Sequence, residues 1–285
     1  MKIKESRAIS FIIVAVVYVL ASIVGIITYG ALNLSLWLKI LIADTVATVV
    51  VFVFSLIFRN ASVYDPYWSV QPIVILVALA FSYKIGLMQV LFISVISLWG
   101  IRLTANWAYT FKGLTHQDWR YTNIQHATGK LYPIVNFLGI HYVPTLIVYA
   151  CTMPAVYVIV NKVAFNAIAL VGLALSLTAI ILQCVADIQM HSFRKANAGG
   201  FIRTGVWKYS RHPNYLAEIL MWWGIGISAV CLIPNFLWML TGCVLNTMLF
   251  LFISIPLADN HQSRKTGFAD YKAQTNSLIP LKIKR

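Results

Sequence analysis

Phe11-Ile-Ile-Val-Ala-Val-Val-Tyr-Val-Leu-Ala-Ser-Ile-Val-Gly-Ile-Ile27 is an apolar run broken only by one tyrosine and one serine, and it extends in both directions to fill residues 8–29. About 20 such residues, wound as a helix, cross the ~30 Å of hydrocarbon in a bilayer. No water there can satisfy backbone N–H and C=O groups, so the segment must satisfy its own, as a helix does. Similar runs recur at 36–58, 70–84, 87–111, 134–159, 163–193, 216–231 and 235–257. The period-two alternation of a transmembrane barrel is absent. The chain therefore reads as all-α, a polytopic transmembrane helical bundle of about eight spans. The third and seventh runs are short; if they are re-entrant or interfacial, the count falls to seven or six.

Composition agrees with this reading. Of 285 residues, 60% are hydrophobic and 11% charged, more apolar surface than a soluble globule can bury. With the N-terminus inside, 18 of the 22 lysines and arginines fall on the cytoplasmic face, from Lys2, Lys4 and Arg7 to Lys282, Lys284 and Arg285. The opposite face receives Lys39, Lys84 and Lys162, and Arg102 lies inside a span. That excess follows the positive-inside rule and predicts both termini in the cytoplasm. It also explains the net charge of +14 by topology and anionic headgroups, without nucleic acid. A bacterial plasma membrane and an endoplasmic reticulum satisfy it equally. The Met1–Arg7 start imitates a signal peptide, but the run that follows is long and lacks a small-residue cleavage site, so a retained first helix is expected. By organisation, residues 1–58 form a transmembrane hairpin and 59–285 a larger membrane domain, of which 180–285 is the part expected to bind any cofactor.

Cys151, Cys184, Cys231 and Cys243 include no C-x-x-C pair, and the six histidines lack the clustered spacing of a di-iron site, so no metal centre is expected. The long polar segments are 112–133, 194–214 and 258–285, with a shorter one, Arg59-Asn-Ala-Ser-Val-Tyr-Asp-Pro-Tyr-Trp-Ser69. At the end of the sixth run Gln183, Asp187, His191 and Arg194 share one helical stripe. A carboxylate in a membrane helix costs about 2.5–3.5 kcal/mol on insertion scales, so Asp187 needs a partner or a task. Five cations and no acid then lie between Ile188 and Ala217, with Gly199, Gly200 and Gly205 among them; such a loop can wrap a polyphosphate or merely obey topology.

The next element is Gly205-Val-Trp-Lys-Tyr-Ser-Arg-His-Pro-Asn-Tyr-Leu-Ala-Glu218. Pro213 suits a first helical position, which aims free N–H groups toward the loop, where an anion can sit. Asn214 and Glu218 lie one turn apart, and Glu218 in the first turn also suits the helix dipole. Gly224-Ile-Gly-Ile-Ser-Ala229 fits G-x-G-x-x-A formally, but without a preceding strand it predicts close helix packing, not a dinucleotide fold. The chain ends with Asp259-Asn-His261, Phe268-Ala-Asp-Tyr271 and Leu278-Ile-Pro280, a short amphipathic helix with a terminating proline.

G-x-W-x-Y-S-R-H-P-N-Y-x-x-E resembles the C-terminal motif of the steroid 5-alpha-reductase superfamily, nearest its largely uncharacterised microbial branch of membrane reductases. Ser62-Val-Tyr-Asp-Pro-Tyr-Trp68, Leu98-Trp-Gly-Ile-Arg-Leu103, Asp118-Trp-Arg-Tyr121, Asp187 with Arg194, and the Tyr271 to Pro280 ending extend the likeness over most of 59–280. The resemblance implies NADPH bound by the C-terminal helices and loops, through Asp187, Arg194, Arg211, His212, Asn214, Tyr215 and His261, with Glu218 and Tyr271 in the same shell. It implies hydride transfer to a carbon-carbon double bond of a lipophilic steroid-, sterol- or enone-lipid-like substrate. A donor must then polarise the substrate carbonyl, and position favours Asp65 and Tyr67, with Arg102 and Tyr121 behind them. Two other readings stand beside this one. The related isoprenylcysteine and phospholipid methyltransferases share R-H-P and bind S-adenosylmethionine, but typically carry a later Glu-Glu pair where this chain has a lone Asp259. A non-enzymatic lipid-binding bundle is the third. Oligomeric state is not legible.

Overall fold

A computed structural model describes residues 5–196 and 199–279 of the chain. Lys2, Lys4, Pro280, Lys282, Lys284 and Arg285, which entered the charge count and the expected proline stop, lie outside the described residues. Helices form throughout, and no strand occurs among the described residues. The chain runs through α1 (Arg7–Ala31), α2 (Leu36–Phe58), α3 (Tyr67–Ser82) and α4 (Leu87–Thr110). α5 (Trp119–Thr128) continues through a short turn and a π-helical segment, Asn136–Tyr142, into α6 (Val143–Val160). α7 (Leu170–Ala196) and α8 (Pro213–Leu232) follow, then α9 (Thr241–Leu249), α10 (Ile255–Gln262) and α11 (Phe268–Gln274).

Among the described residues eight helical stretches are long and apolar enough to cross a membrane, so the protein is a polytopic helical membrane protein. The two runs expected to be short are complete: the third is lengthened by a 3-10 turn to Ala61–Ser82 and the seventh is Pro213–Leu232. The polar segment 112–133 is not simply a loop, because α5 begins inside it at Trp119. The expected amphipathic helix near the end is α11.

The chain forms two compact units, residues 1–83 with 99–152, and residues 84–98 with 153–285. In the first, α1 buries Ser10, Val14, Val17, Ala21 and Gly25, one stripe at helical spacing, while Ile12, Val16, Val19, Ile23 and Ile27 stay exposed. In a membrane that outward apolar face meets lipid, not water. A Cβ on Gly25 would sit 3.4 Å from the Ala43 carbonyl and from Ala47, so α1 and α2 approach closely. In the second unit, α7 and α8 cross through Gly172 and Gly224, each of which would drive a Cβ into the other's carbonyl oxygen. Ser176 and Ser228 hydroxyls close the crossing by donating to the carbonyls of Met221 and Ala169, 2.8 Å each. Gly224-Ile-Gly-Ile-Ser-Ala229 is thus a packing element, as its membrane context predicts.

Candidate functional site

In the N-terminal unit the two motif segments bind each other. Asn60 caps the 3-10 turn by accepting from Ser62 N–H, and its amide donates to the carbonyls of Leu114 and His116, at 2.8 and 3.2 Å. Ala61 N–H donates to the Gln117 side chain, and Asp118 N–H donates to Ser62 Oγ, both 2.9 Å. Asp118 is the N-cap of α5, accepting from Arg120 N–H at 2.8 Å and from the Arg120 guanidinium at 2.8 and 3.1 Å. Burial pushes the Asp118 carboxyl up, but the hydrogen bonds and charge of Arg120 outweigh it and hold the group below its ordinary value. Tyr121 then donates to Asp65 at 2.6 Å. Asp65 and Tyr121, expected near the chemistry, are therefore brought together, as part of the knot that joins α3 to α5. Arg102 lies half-buried on α4.

Tyr67 points elsewhere. Its hydroxyl donates to Asp44 at 3.2 Å, and the Gln71 amide donates to the other Asp44 oxygen. Asp44, Tyr67 and Gln71 are 5%, 6% and 4% exposed, and all three line a cavity bordered by α1, α2 and α3 and open on one side. Its other walls are mostly apolar, among them Ala21, Gly25, Ala47 and Ala78. Behind Tyr67, the hydroxyls of Tyr64 and Thr48 both meet Thr145 Oγ1, at 2.9 and 3.2 Å. Sequence reading missed Asp44, although a lone acid in the run 36–58 carries the same insertion cost that singled out Asp187.

In the C-terminal unit the R-H-P-N-Y loop is strapped to the end of the chain. Arg211 N–H and His212 N–H donate to the carbonyls of Asn276 and Ser277, at 2.9 and 3.0 Å. The Arg211 guanidinium is paired with Asp259 at 2.9 Å and also donates to the carbonyls of Lys272 and Thr275. His212 Nε2 meets the other Asp259 oxygen at 2.9 Å, and Lys272 Nζ stands 3.4 Å from Asp259. Tyr271 donates to the Trp207 carbonyl; burial, partly offset by Arg211 and Arg203, raises its hydroxyl to about 12, so it stays a donor. Asp259, unassigned from sequence, is the hub of this strap. Glu218 is also committed: it accepts from Gln183 at 2.6 Å and from Trp222 at 3.1 Å, 3% exposed.

Of the nine residues expected around a nucleotide, Arg211, His212, Glu218 and Tyr271 thus have protein partners. Tyr215 stacks on His212, ring centroids 5.1 Å apart. Asn214 is half-buried in the first turn of α8, Asp187 and His261 are half-buried on α7 and α10, and Arg194 is exposed at the end of α7. Beside Arg194 a basic cluster gathers. Lys265 donates to the Gly200 carbonyl at 2.7 Å, and Arg203 to that of Gly267 at 3.0 Å. Burial and then the Arg194 charge lower the Lys265 ammonium. Arg194 and Lys265, near enough to feel each other's charge beside a glycine loop, suit a phosphate-bearing ligand. Among the described residues no three His, Cys, Asp or Glu side chains are grouped to hold a metal, and all four cysteines are free thiols.

These features define an eight-span helical membrane protein with a buried carboxyl-phenol-amide cluster in one unit and a strapped basic loop in the other. Residues 51–275 match the family described as "Protein of unknown function (DUF1295)", and the chain belongs to it. It is 26% identical over 193 residues to "Uncharacterized protein C594.04c" of Schizosaccharomyces pombe, covering 58% of this chain and 56% of that protein's length. No solved structure matches the chain.

Proposed function

We propose that the protein is an NADPH-dependent membrane reductase that saturates a carbon-carbon double bond conjugated to a carbonyl in a lipophilic substrate, as the resemblance to the steroid 5-alpha-reductase superfamily suggests. The observation that carries the reading is the Asp44–Tyr67–Gln71 cluster in the wall of an apolar cavity. Reduction at the β-carbon places negative charge on the carbonyl oxygen, and donors aimed there stabilise the transition state. Tyr67 supplies an O–H. In the free protein that O–H rests on Asp44, and it turns to the substrate oxygen when one is present, with the second amide N–H of Gln71 as the other donor. Asp44 holds both donors in place. The apolar walls take the hydrocarbon and keep water from the developing enolate.

The C-terminal unit supplies features that fit a nucleotide. Arg194, Lys265 and Arg203 suit its phosphates, and Asn214 at the start of α8 suits a carboxamide. NADPH, when bound there, supplies the hydride. Arg211, His212 and Asp259 shape the loop that presents these groups. The cytoplasm is the side on which we place the loop, with both termini, from the charge asymmetry.

Purified protein in nanodiscs should be thermally stabilised by NADPH and not by S-adenosylmethionine, and should consume NADPH when given a conjugated enal or enone lipid. Tyr67→Phe should lower kcat by about 10²–10³, the cost of one such donor, and Asp44→Ala, which releases the phenol and the amide, should lower it as well, with NADPH binding unchanged in both. Stabilisation by S-adenosylmethionine alone would favour the methyltransferase reading; lipid binding with neither nucleotide would favour a non-enzymatic bundle.

A further inference from the structure

The cavity among α1, α2 and α3 constrains the shape of its occupant. Its volume is about 180 Å³, little more than that of an apolar cavity of ~150 Å³ that takes one benzene ring. It is long, however: lining residues run from Tyr18 to Tyr29 on α1 and from Tyr67 to Ser82 on α3. At ~1.5 Å per helical residue those stretches measure roughly 16 to 22 Å. So small a volume over such a length is a slot about one hydrocarbon chain wide, open along one side. Small side chains keep it open, and at Gly25 the adjoining walls already stand at van der Waals distance from any added Cβ.

The slot carries its one carboxyl and its one amide side by side. Asp44, Tyr67 and Gln71 meet there, and Gln71 Oε1 is buried with no hydrogen-bond partner. A buried amide atom in that state is unfavourable until a ligand group meets it. Gln71 Nε2 already donates one N–H to Asp44; its second N–H is the group that can serve a ligand carbonyl, and Oε1 can accept from a ligand hydroxyl.

We infer that the slot holds the single flexible chain of an acyl- or isoprenoid-type lipid, with its conjugated carbonyl against Asp44, Tyr67 and Gln71, and rejects a fused four-ring steroid nucleus. The carbonyl part of this rests on the reductase reading; the chain shape rests on the cavity alone.

Binding can be tested without turnover. Full-length protein in nanodiscs, without NADPH, is photolabelled with a diazirine analogue of trans-2-hexadecenal, and the labelled residues are mapped by mass spectrometry. Labelling should fall on α1, α2 and α3, be displaced by trans-2-hexadecenal, and be left in place by progesterone at the same concentration. Ser22→Phe and Ala78→Phe, which fill the slot, should cut labelling by about tenfold or more with the melting temperature preserved. Displacement by progesterone as effective as by the enal, or labelling outside these helices, would overturn the inference, and the wild-type map decides this even if a filled variant fails to fold. Labelling as expected without NADPH consumption would overturn the reductase reading and leave the slot standing. NADPH consumption with labelling elsewhere would do the reverse.

Discussion

Asp259 shows how a single side chain can organise a motif. Its two oxygens receive Arg211 and His212, whose backbone N–H groups also bind residues 276 and 277. Removing one partner of a buried pair leaves an uncompensated charge and costs about 3–5 kcal/mol. Asp259→Ala should therefore lower the thermal midpoint sharply and expose the segment after Gln262 to limited proteolysis, in the absence of any nucleotide. Arg211→Lys should do the same to a lesser degree, since an ammonium cannot reach Asp259, Lys272 and Thr275 together. Arg194→Ala and Asn214→Ala should behave differently, with unchanged melting and weaker NADPH affinity by titration. If either bound NADPH like wild type, its place in the nucleotide site would be lost.

At the scale of elements, α5 depends on its cap. Asp118→Ala removes the acceptor for Arg120 N–H and should cost about 1 kcal/mol, read as a lower melting temperature. The Asp118 carboxyl is held below its ordinary value in the folded protein. Its contribution is therefore complete above the ordinary carboxylate range and lost as pH falls through the lowered folded value. Melting curves of wild type and Asp118→Ala should converge on acidification; a constant gap down to the lowest pH would remove Asp118 from that role. The α7–α8 crossing is sensitive in another way. Gly224→Leu forces a side chain against the Gly172 carbonyl and Ser176, overpacking that typically costs 1–3 kcal/mol or more. Gly30→Leu, in open space on α1, should be nearly neutral by the same melting assay.

For the whole molecule, the spans were legible because hydrocarbon thickness imposes length and apolarity together. The boundaries shifted where polar residues flank helices: residues 59–69 and 112–133 read as loop, yet Asn60 and Asp118 cap a 3-10 turn and α5, and hydrogen bonds between the two segments hold them together. The Gly224 element was legible from its membrane context. Asp44 was not, because it belongs to no motif and only tertiary contact shows that Tyr67 bonds it and not Asp65. Arg211 and His212 carried a family resemblance in sequence, but which partner they serve depends on Asp259, 48 and 47 residues away. The central claim is hydride transfer from NADPH to a lipid enal or enone, and deuterium labelling tests it most directly. With NADPH deuterated at the transferable position, the saturated product should carry one deuterium at the β-carbon. A product without deuterium, or no saturated product while S-adenosylmethionine binds, would contradict it.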